Sequence, residues 1–321
     1  SASASASASA PPIHPAAILY DGRASDTALI WTELDLSDQG WQVYAASLKG
    51  ATLGTPQLLD QGSSDYEVPL ICVSGSKAYW SVMPNAGGAA QYENSYLKAA
   101  VLGEFDAEQA AGHETTAPQT TPADTVTAAL QRPPYVVYTS HGRMIAQPLA
   151  TQGILSFVPR VDTNGIYYRL TALSVADDSL IASVILPQSL RVSEALYLDN
   201  SFTFSIEANY SSAGGLGQFG TYRQMDNGQW LHFGRVPTSP AMRVNEFLVL
   251  KSTLSVVGLD VANQSYCIIP PPSDTEDFGD TLAGWGESDH IVVFAQTKAS
   301  SASIASATIV RVFARSASNS S

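Results

Sequence analysis

Ala28–Leu–Ile–Trp31–Thr–Glu33 is echoed by Lys77–Ala–Tyr–Trp80–Ser–Val82, roughly 49 residues further on. Each stretch leads through a turn into a second strand, and the two second strands end alike. One reads Tyr44–Ala–Ala–Ser–Leu–Lys–Gly50, the other Tyr96–Leu–Lys–Ala–Ala–Val–Leu–Gly103. Weaker echoes follow at Gly165–Ile–Tyr–Tyr168–Arg–Leu170, Ser201–Phe–Thr–Phe204–Ser–Ile206, Ser252–Thr–Leu–Ser255–Val–Val257 and His290–Ile–Val–Val293–Phe–Ala295. A unit of this length, built of short strands, is the mark of a β-propeller with one small sheet per repeat. Six echoes predict six blades of three to four antiparallel strands. Seven is the alternative, if the wide gap between Trp80 and Tyr168 conceals a degenerate blade around Val136–Val–Tyr138.

Turn chemistry supports the hairpins. Asp38–Gln–Gly40–Trp41, Asp226–Asn–Gly228–Gln–Trp230 and Asn164–Gly165 each place a tight turn directly before a strand. The first two resemble the Asp-box hairpin of sialidases, with a shorter spacing to the Trp. The expected inner strands are Ala17–Tyr20, Val68–Val73, Gly153–Val158, Ala195–Leu198, Glu246–Leu250 and Leu282–Trp285, short apolar runs bounded by turn residues. Ala17–Tyr20 is placed to meet the C-terminal strands. Helical periodicity is confined to one short candidate, Pro122–Leu130. The expected organisation is a Ser/Ala/Pro linker at 1–12, one propeller domain over 13–315 with a polar surface insertion near 103–122, and a disordered tail at 316–321.

The chain has 321 residues, 45% of them hydrophobic, with a formal net charge of −13 and a pI near 4.6. That charge opposes long-range attraction to phosphate backbones, so no nucleic-acid partner is expected. Cys72 and Cys267 lie far apart without nearby Cys or His, and are expected to be two buried free thiols. The Ser/Ala opening predicts that something was removed upstream, and hence an extracytoplasmic protein, secreted or tethered at the cell surface. Membrane contact would come only through that removed anchor. Asn209, Asn263 and Asn319 match the glycosylation pattern, which matters only in a source that glycosylates exported proteins.

Several motifs match in letters and fail in context. Gly215–Leu–Gly217–Gln–Phe–Gly220 fits G-x-G-x-x-G, but no helix is expected after it to face a pyrophosphate. Ser74–Gly–Ser–Lys77 and Ser95–Tyr–Leu–Lys98 fit S-x-x-K, yet both fall in hairpins and not on the helix that motif needs. The loop Asp274–Thr–Glu276–Asp277–Phe–Gly–Asp280 has oxygens enough for Ca²⁺ and lacks the EF-hand spacing. No catalytic residue, metal site or cofactor is therefore expected. The candidate ligand surface is Tyr138–Thr–Ser–His141–Gly–Arg143 together with Arg160. A second group is Tyr222–Arg223 with Trp230, His232 and Arg235, where rings beside guanidinium groups suit a carbohydrate or a carboxylate. For both groups the competing reading is structural, as blade corners or packing between blades.

The order of segments resembles a group of exported bacterial proteins known by their twin-arginine signal. The phrases that carry the resemblance are Trp41–Gln–Val–Tyr–Ala–Ala46, Tyr79–Trp80, Tyr138–Thr–Ser–His–Gly–Arg–Met144, Gly220–Thr–Tyr222, Val249–Leu–Lys–Ser–Thr253, Val257–Gly–Leu–Asp260 and Phe278–Gly–Asp–Thr–Leu282. The resemblance implies export. More distantly the hairpin repeat is similar to TolB-like six-bladed propellers, without their Ser–Pro–Asp–Gly strand signature. Neither carries a catalytic residue over. The expected function is a non-catalytic binding or scaffold module that uses a propeller face for a protein or glycan partner. One alternative is a propeller-type carbohydrate-active hydrolase or lyase, with Glu33, Asp35, Asp199 and Glu207 as candidate carboxylates. The other is the sensor domain of a membrane-anchored signalling protein.

Overall fold

The computed structural model describes residues 17–50, 52–85, 93–104, 130–161, 168–186, 190–209 and 220–233. In the C-terminal part it describes 242–244, 247–252, 255–260, 263, 265–269, 282–283, 290–296 and 308–314. These residues form strands and turns arranged in five small sheets.

The first sheet holds β1 (Ala17–Ala24), β2 (Ala28–Asp35), β3 (Trp41–Lys49), β4 (Thr52–Leu53) and β5 (Gln57–Gly62). The second is the meander of β6 (Ile71–Ser74), β7 (Lys77–Val82), β8 (Ser95–Leu102) and β9 (Leu130–Ser140). An eight-stranded sheet follows, made of two antiparallel meanders. These are β10 (Ile145–Thr151), β11 (Ile154–Val158), β12 (Arg169–Ser174) and β13 (Leu180–Ile185), then β14 (Leu190–Leu198), β15 (Ser201–Asn209), β16 (Gly220–Gln224) and β17 (Trp230–Phe233). The single pair Gln147↔Glu194, parallel, joins β10 to β14. The last two sheets are β18 (Met242–Val244), β19 (Phe247–Ser252), β20 (Ser255–Asp260) and β21 (Ser265–Ile269), and β22 (Leu282–Ala283), β23 (His290–Gln296) and β24 (Thr308–Ala314).

Alternation in the sequence explains the packing between sheets. Ile30, Leu34, Trp41 and Val43 of the first sheet point one way and meet Ile71, Val73, Ala78 and Trp80 of the second in one buried cluster. The opposite face of the second sheet, with Cys72, Tyr79, Leu97 and Ala99, meets Leu155 and Phe157 of the third meander. The inner strands of the second sheet are thus apolar on both faces because that sheet is covered on both. Polar side chains reinforce the seams. Asp60 on β5 accepts bonds from the Trp80 indole and the Lys98 ammonium, both at 2.8 Å, tying the first sheet to the second.

Five expectations change. The run at Glu246–Leu250 supplies the second strand of its sheet, β19, with β18 before it. Ala17–Tyr20 belongs to β1, which pairs antiparallel with β2 and with no C-terminal strand among the described residues. The stretch around Val136–Tyr138 lies in β9 and completes the second sheet as its outer strand. In the third meander the first strand is Ile145–Thr151, and the run at Gly153–Val158 supplies the second; Gln147 and Pro148 dilute the apolar signal of the true first strand. Cys72 is buried as expected, but Cys267 is exposed, because β21 is an outer strand whose neighbours Tyr266 and Ile268 also face solvent. The Pro122–Leu130 helix, most of the 103–122 insertion, the acidic 274–280 loop and both terminal segments lie outside the described residues, except that Leu130 opens β9.

Candidate functional site

The structure brings the first candidate group together. β9 ends at Ser140 and the chain turns through His141–Gly142 to start β10, while β11 returns to the same corner at Arg160. Gly142 has φ of 140°, a conformation that favours glycine, so the turn needs that residue. Two bonds pin the corner: the Arg160 amide donates to Ser140 Oγ at 2.9 Å, and the His141 amide donates to the Arg160 carbonyl at 3.0 Å. Arg160 is 6% exposed, whereas the His141 side chain faces solvent.

Arg143 reaches back to the segments that flank β6 and β7, where it pairs with Glu67 and donates to the Pro84 carbonyl at 3.3 Å. Tyr168 forms an isolated bridge with Arg160. Burial pushes the Tyr168 hydroxyl above the usual phenol range, against the opposing pull of the Arg160 and Arg143 guanidinium groups. Tyr138 packs edge-on against Phe157, with centroids 5.0 Å apart, and so builds the floor of this corner. The result is a corner that carries a solvent-facing His141, an Arg143 guanidinium paired with Glu67, a buried Arg160 and a neutral Tyr168 phenol.

The second group divides. Tyr222 stacks on Phe204 at 5.5 Å between neighbouring strands. Arg223 is buried, donates to Thr203 Oγ1 at 3.0 Å and to the Leu198 carbonyl at 3.2 Å, and lies 3.9 Å from Asp199. It clamps the β14–β15 turn, whose residues Asp199 and Asn200 both have positive φ. Trp230 and His232 lie in β17, and Arg235 falls outside the described residues. The two groups stand on opposite faces. Because β10 and β14 run parallel, the start of β10, where Arg143 sits, faces away from the end of β14, where Arg223 sits.

Sequence reading missed a third constellation. Lys77 Nζ lies 2.6 Å from Asp178 Oδ1 and 2.8 Å from the Val175 carbonyl, and Asp178 also accepts the Tyr135 hydroxyl at 2.8 Å. The ammonium sits 5.4 Å from the Tyr79 ring centroid. Lys77 was visible as the start of a strand echo and in an S-x-x-K match, and nothing local marks a partner about a hundred residues on. Among the candidate carboxylates, Glu33 accepts the Trp31 indole at 3.0 Å and Asp35 holds the Ser37 turn at 2.6 Å. Among the described residues no group of three His, Cys, Asp or Glu is placed to hold a metal ion.

Small antiparallel sheets stacked through apolar faces define a β-propeller class of domain, and solved structures agree. The chain is similar to the β-propeller domain of the Trilobed protease from Pyrococcus furiosus, described as having an open velcro topology. The TM-score is 0.51 at 10% identity, over 93% of this chain and 82% of that one. It is also similar to the acylaminoacyl peptidase of Pyrococcus horikoshii, with TM-score 0.55, 11% identity and 96% of this chain covered. A puromycin hydrolase gives TM-score 0.51 at 14% identity over 89% of this chain. The chain spans 47% and 43% of the length of these two enzymes. At such identities the likeness is one of fold. No sequence family and no curated protein matches the chain.

Proposed function

We infer that the chain is a binding module without chemistry of its own, a six-bladed ring that offers one face to a partner. Support for six comes from the single parallel pair in the eight-stranded sheet: divided there, the sheets give one meander per echo of the repeat. The observation that carries the binding reading is the corner between the second and third sheets. There His141 stands in solvent beside Arg143 and Arg160, with the backbone fixed by the Ser140 bonds. Loop residues held by a rigid scaffold are where binding commonly resides. The solvent-facing His141 and the partly exposed Arg143, whose guanidinium is shared with Glu67, offer donors to a carboxylate, and a protein segment supplies one at its C-terminus. The resemblance to exported proteins supports a place outside the cytoplasm, which protease accessibility of the native protein on intact cells would test.

Calorimetry tests the corner with a tetrapeptide bearing a free C-terminal carboxylate and with its C-terminal amide. The acid binds and the amide does not, and a His141→Ala/Arg143→Gln double variant weakens the acid at least tenfold. Equal binding of acid and amide, or no binding of either, overturns the reading. Arg160 is left unchanged in this test because it is buried.

A further inference from the structure

The second sheet and the third meander pack against each other with both walls of their seam in place, and one end of that seam holds a cation the corner does not use. On β12, Leu170 and Ala172 pack toward β14 and β15, while Leu173 packs against the second sheet. By alternation Thr171 and Arg169 share the Leu173 face. Thr171 pairs with Phe157, and the Arg169 amide donates to the Pro159 carbonyl at 3.0 Å, so Arg169 stands one row beyond Phe157. From the other wall Tyr138 lies edge-on against that same Phe157 ring. The seam opens toward the rim, where Ile185, in register with Arg169, is 57% exposed.

Arg169 is half-buried, its Nε is fully so, and its guanidinium makes no hydrogen bond or ion pair with any described residue. Elsewhere such groups are held: Arg23 by Asp21, Arg143 by Glu67, and Arg223 by Thr203 and the Leu198 carbonyl. Arg132 lies on the Tyr135 ring, 3.3 Å from its centroid. The Tyr138 hydroxyl also bonds no described residue. A cation drawn partly out of water without a partner lowers stability, and folds keep such a group where a ligand supplies the missing bonds. Two donors without acceptors thus flank one aromatic ring at the same end of the seam.

That end is the one that carries the His141 turn. Arg169 follows Tyr168, whose bridge partner Arg160 accepts the His141 amide. Adjacent strands lie about 5 Å apart, so about one to three residues of extended chain span from the turn to Arg169. We propose, resting on the His141 corner as the site of a terminal carboxylate, that Arg169 and Tyr138 receive a glutamate or aspartate side chain a few residues upstream in the same partner segment. A guanidinium meets a carboxylate through paired bonds, the phenol adds a third donor, and Ile185 offers an apolar surface for the methylene stem. A phosphate, with up to two charges and three acceptor oxygens, calls for a cluster of cations, whereas here one unpaired guanidinium stands in a protein of net charge −13.

Calorimetry with N-acetylated tetra-alanine, and with three versions carrying Glu at one of the first three positions, tests the pair. At least one Glu peptide binds about tenfold more tightly than tetra-alanine. Arg169→Met brings that ratio to about one and leaves the Tm unchanged or higher, because an unpaired cation has been removed. Tyr138→Phe, which keeps the ring, lowers the ratio in part. His141→Ala/Arg143→Gln weakens the Glu peptide and tetra-alanine by the same factor. The proposal is overturned if tetra-alanine binds and no Glu peptide binds better, or if the preference survives Arg169→Met. A lower Tm in Arg169→Met overturns it as well, since the guanidinium would then be serving the fold, as does tighter binding of phosphoserine in place of Glu. Failure of every peptide to bind overturns the corner and this site together.

Discussion

Single residues show where function and packing compete for the same side-chain types. That Tyr138–Arg143 and Arg160 share one corner was legible because the first are nearly contiguous, although Arg143 also bonds a backbone carbonyl and Arg160 is buried. Arg223 reads identically in sequence yet serves as a clamp on backbone carbonyls, a role set by a turn that only the folded chain reveals. Gly62 gives a sharp test of packing. A Cβ there would stand 2.2 Å from the Trp41 indole, so Gly62→Ala should lower stability by about 1–3 kcal/mol in urea titrations. Lys77 and Asp178 form a largely buried pair, and Lys77→Met should cost about 3 kcal/mol by leaving Asp178 without its cation. The Tyr79 hydroxyl is buried with no hydrogen-bond partner among the described residues, and burial raises its pKa, with Cys72, Asp178 and Tyr135 adding to the rise. A raised folded-state value means stability that is complete below the unfolded phenol pKa of about 10 and declines as pH rises above it. Melting temperature should therefore fall above about pH 10, and Tyr79→Phe should flatten that fall without lowering stability at pH 7.

At the scale of elements, most strands were visible from alternation and turn residues, but their rank within a sheet was not. Echoes at Trp31, Trp80, Phe204 and Val293 fall on second strands, while those after Tyr168 and at Ser255 fall on third strands. Inner strands covered on both faces read alike whatever their position, so a repeat found by composition can slip by one strand. Edges differ in how they are protected. β9 carries Arg132 and Pro133–Pro134, while β13 offers Leu180–Ile–Ala–Ser–Val–Ile185, uncharged, with Leu180, Ile181 and Ile185 exposed. Ile181→Lys should slow aggregation on heating, measured by light scattering, and leave the Tm within about 1 °C because the side chain already meets solvent.

For the whole molecule, the propeller class was legible because a period near fifty residues survives divergence in individual strands. Ring closure was not, since a strand's sequence does not name its partner. The first sheet keeps β1, and the last is the three-stranded β22–β24, so among the described residues the two ends share no sheet. That has a mechanical consequence. Closed by strand exchange, a ring drawn apart by its ends must shear many hydrogen bonds at once. Here β1 and β24 are each held along one edge, so tension between the ends would peel them off singly. An optical-trap record should show low-force, stepwise rips as β1 and the strands of the last sheet peel away, with the remainder of the first three sheets, sealed by Asp60 and Lys77, yielding last.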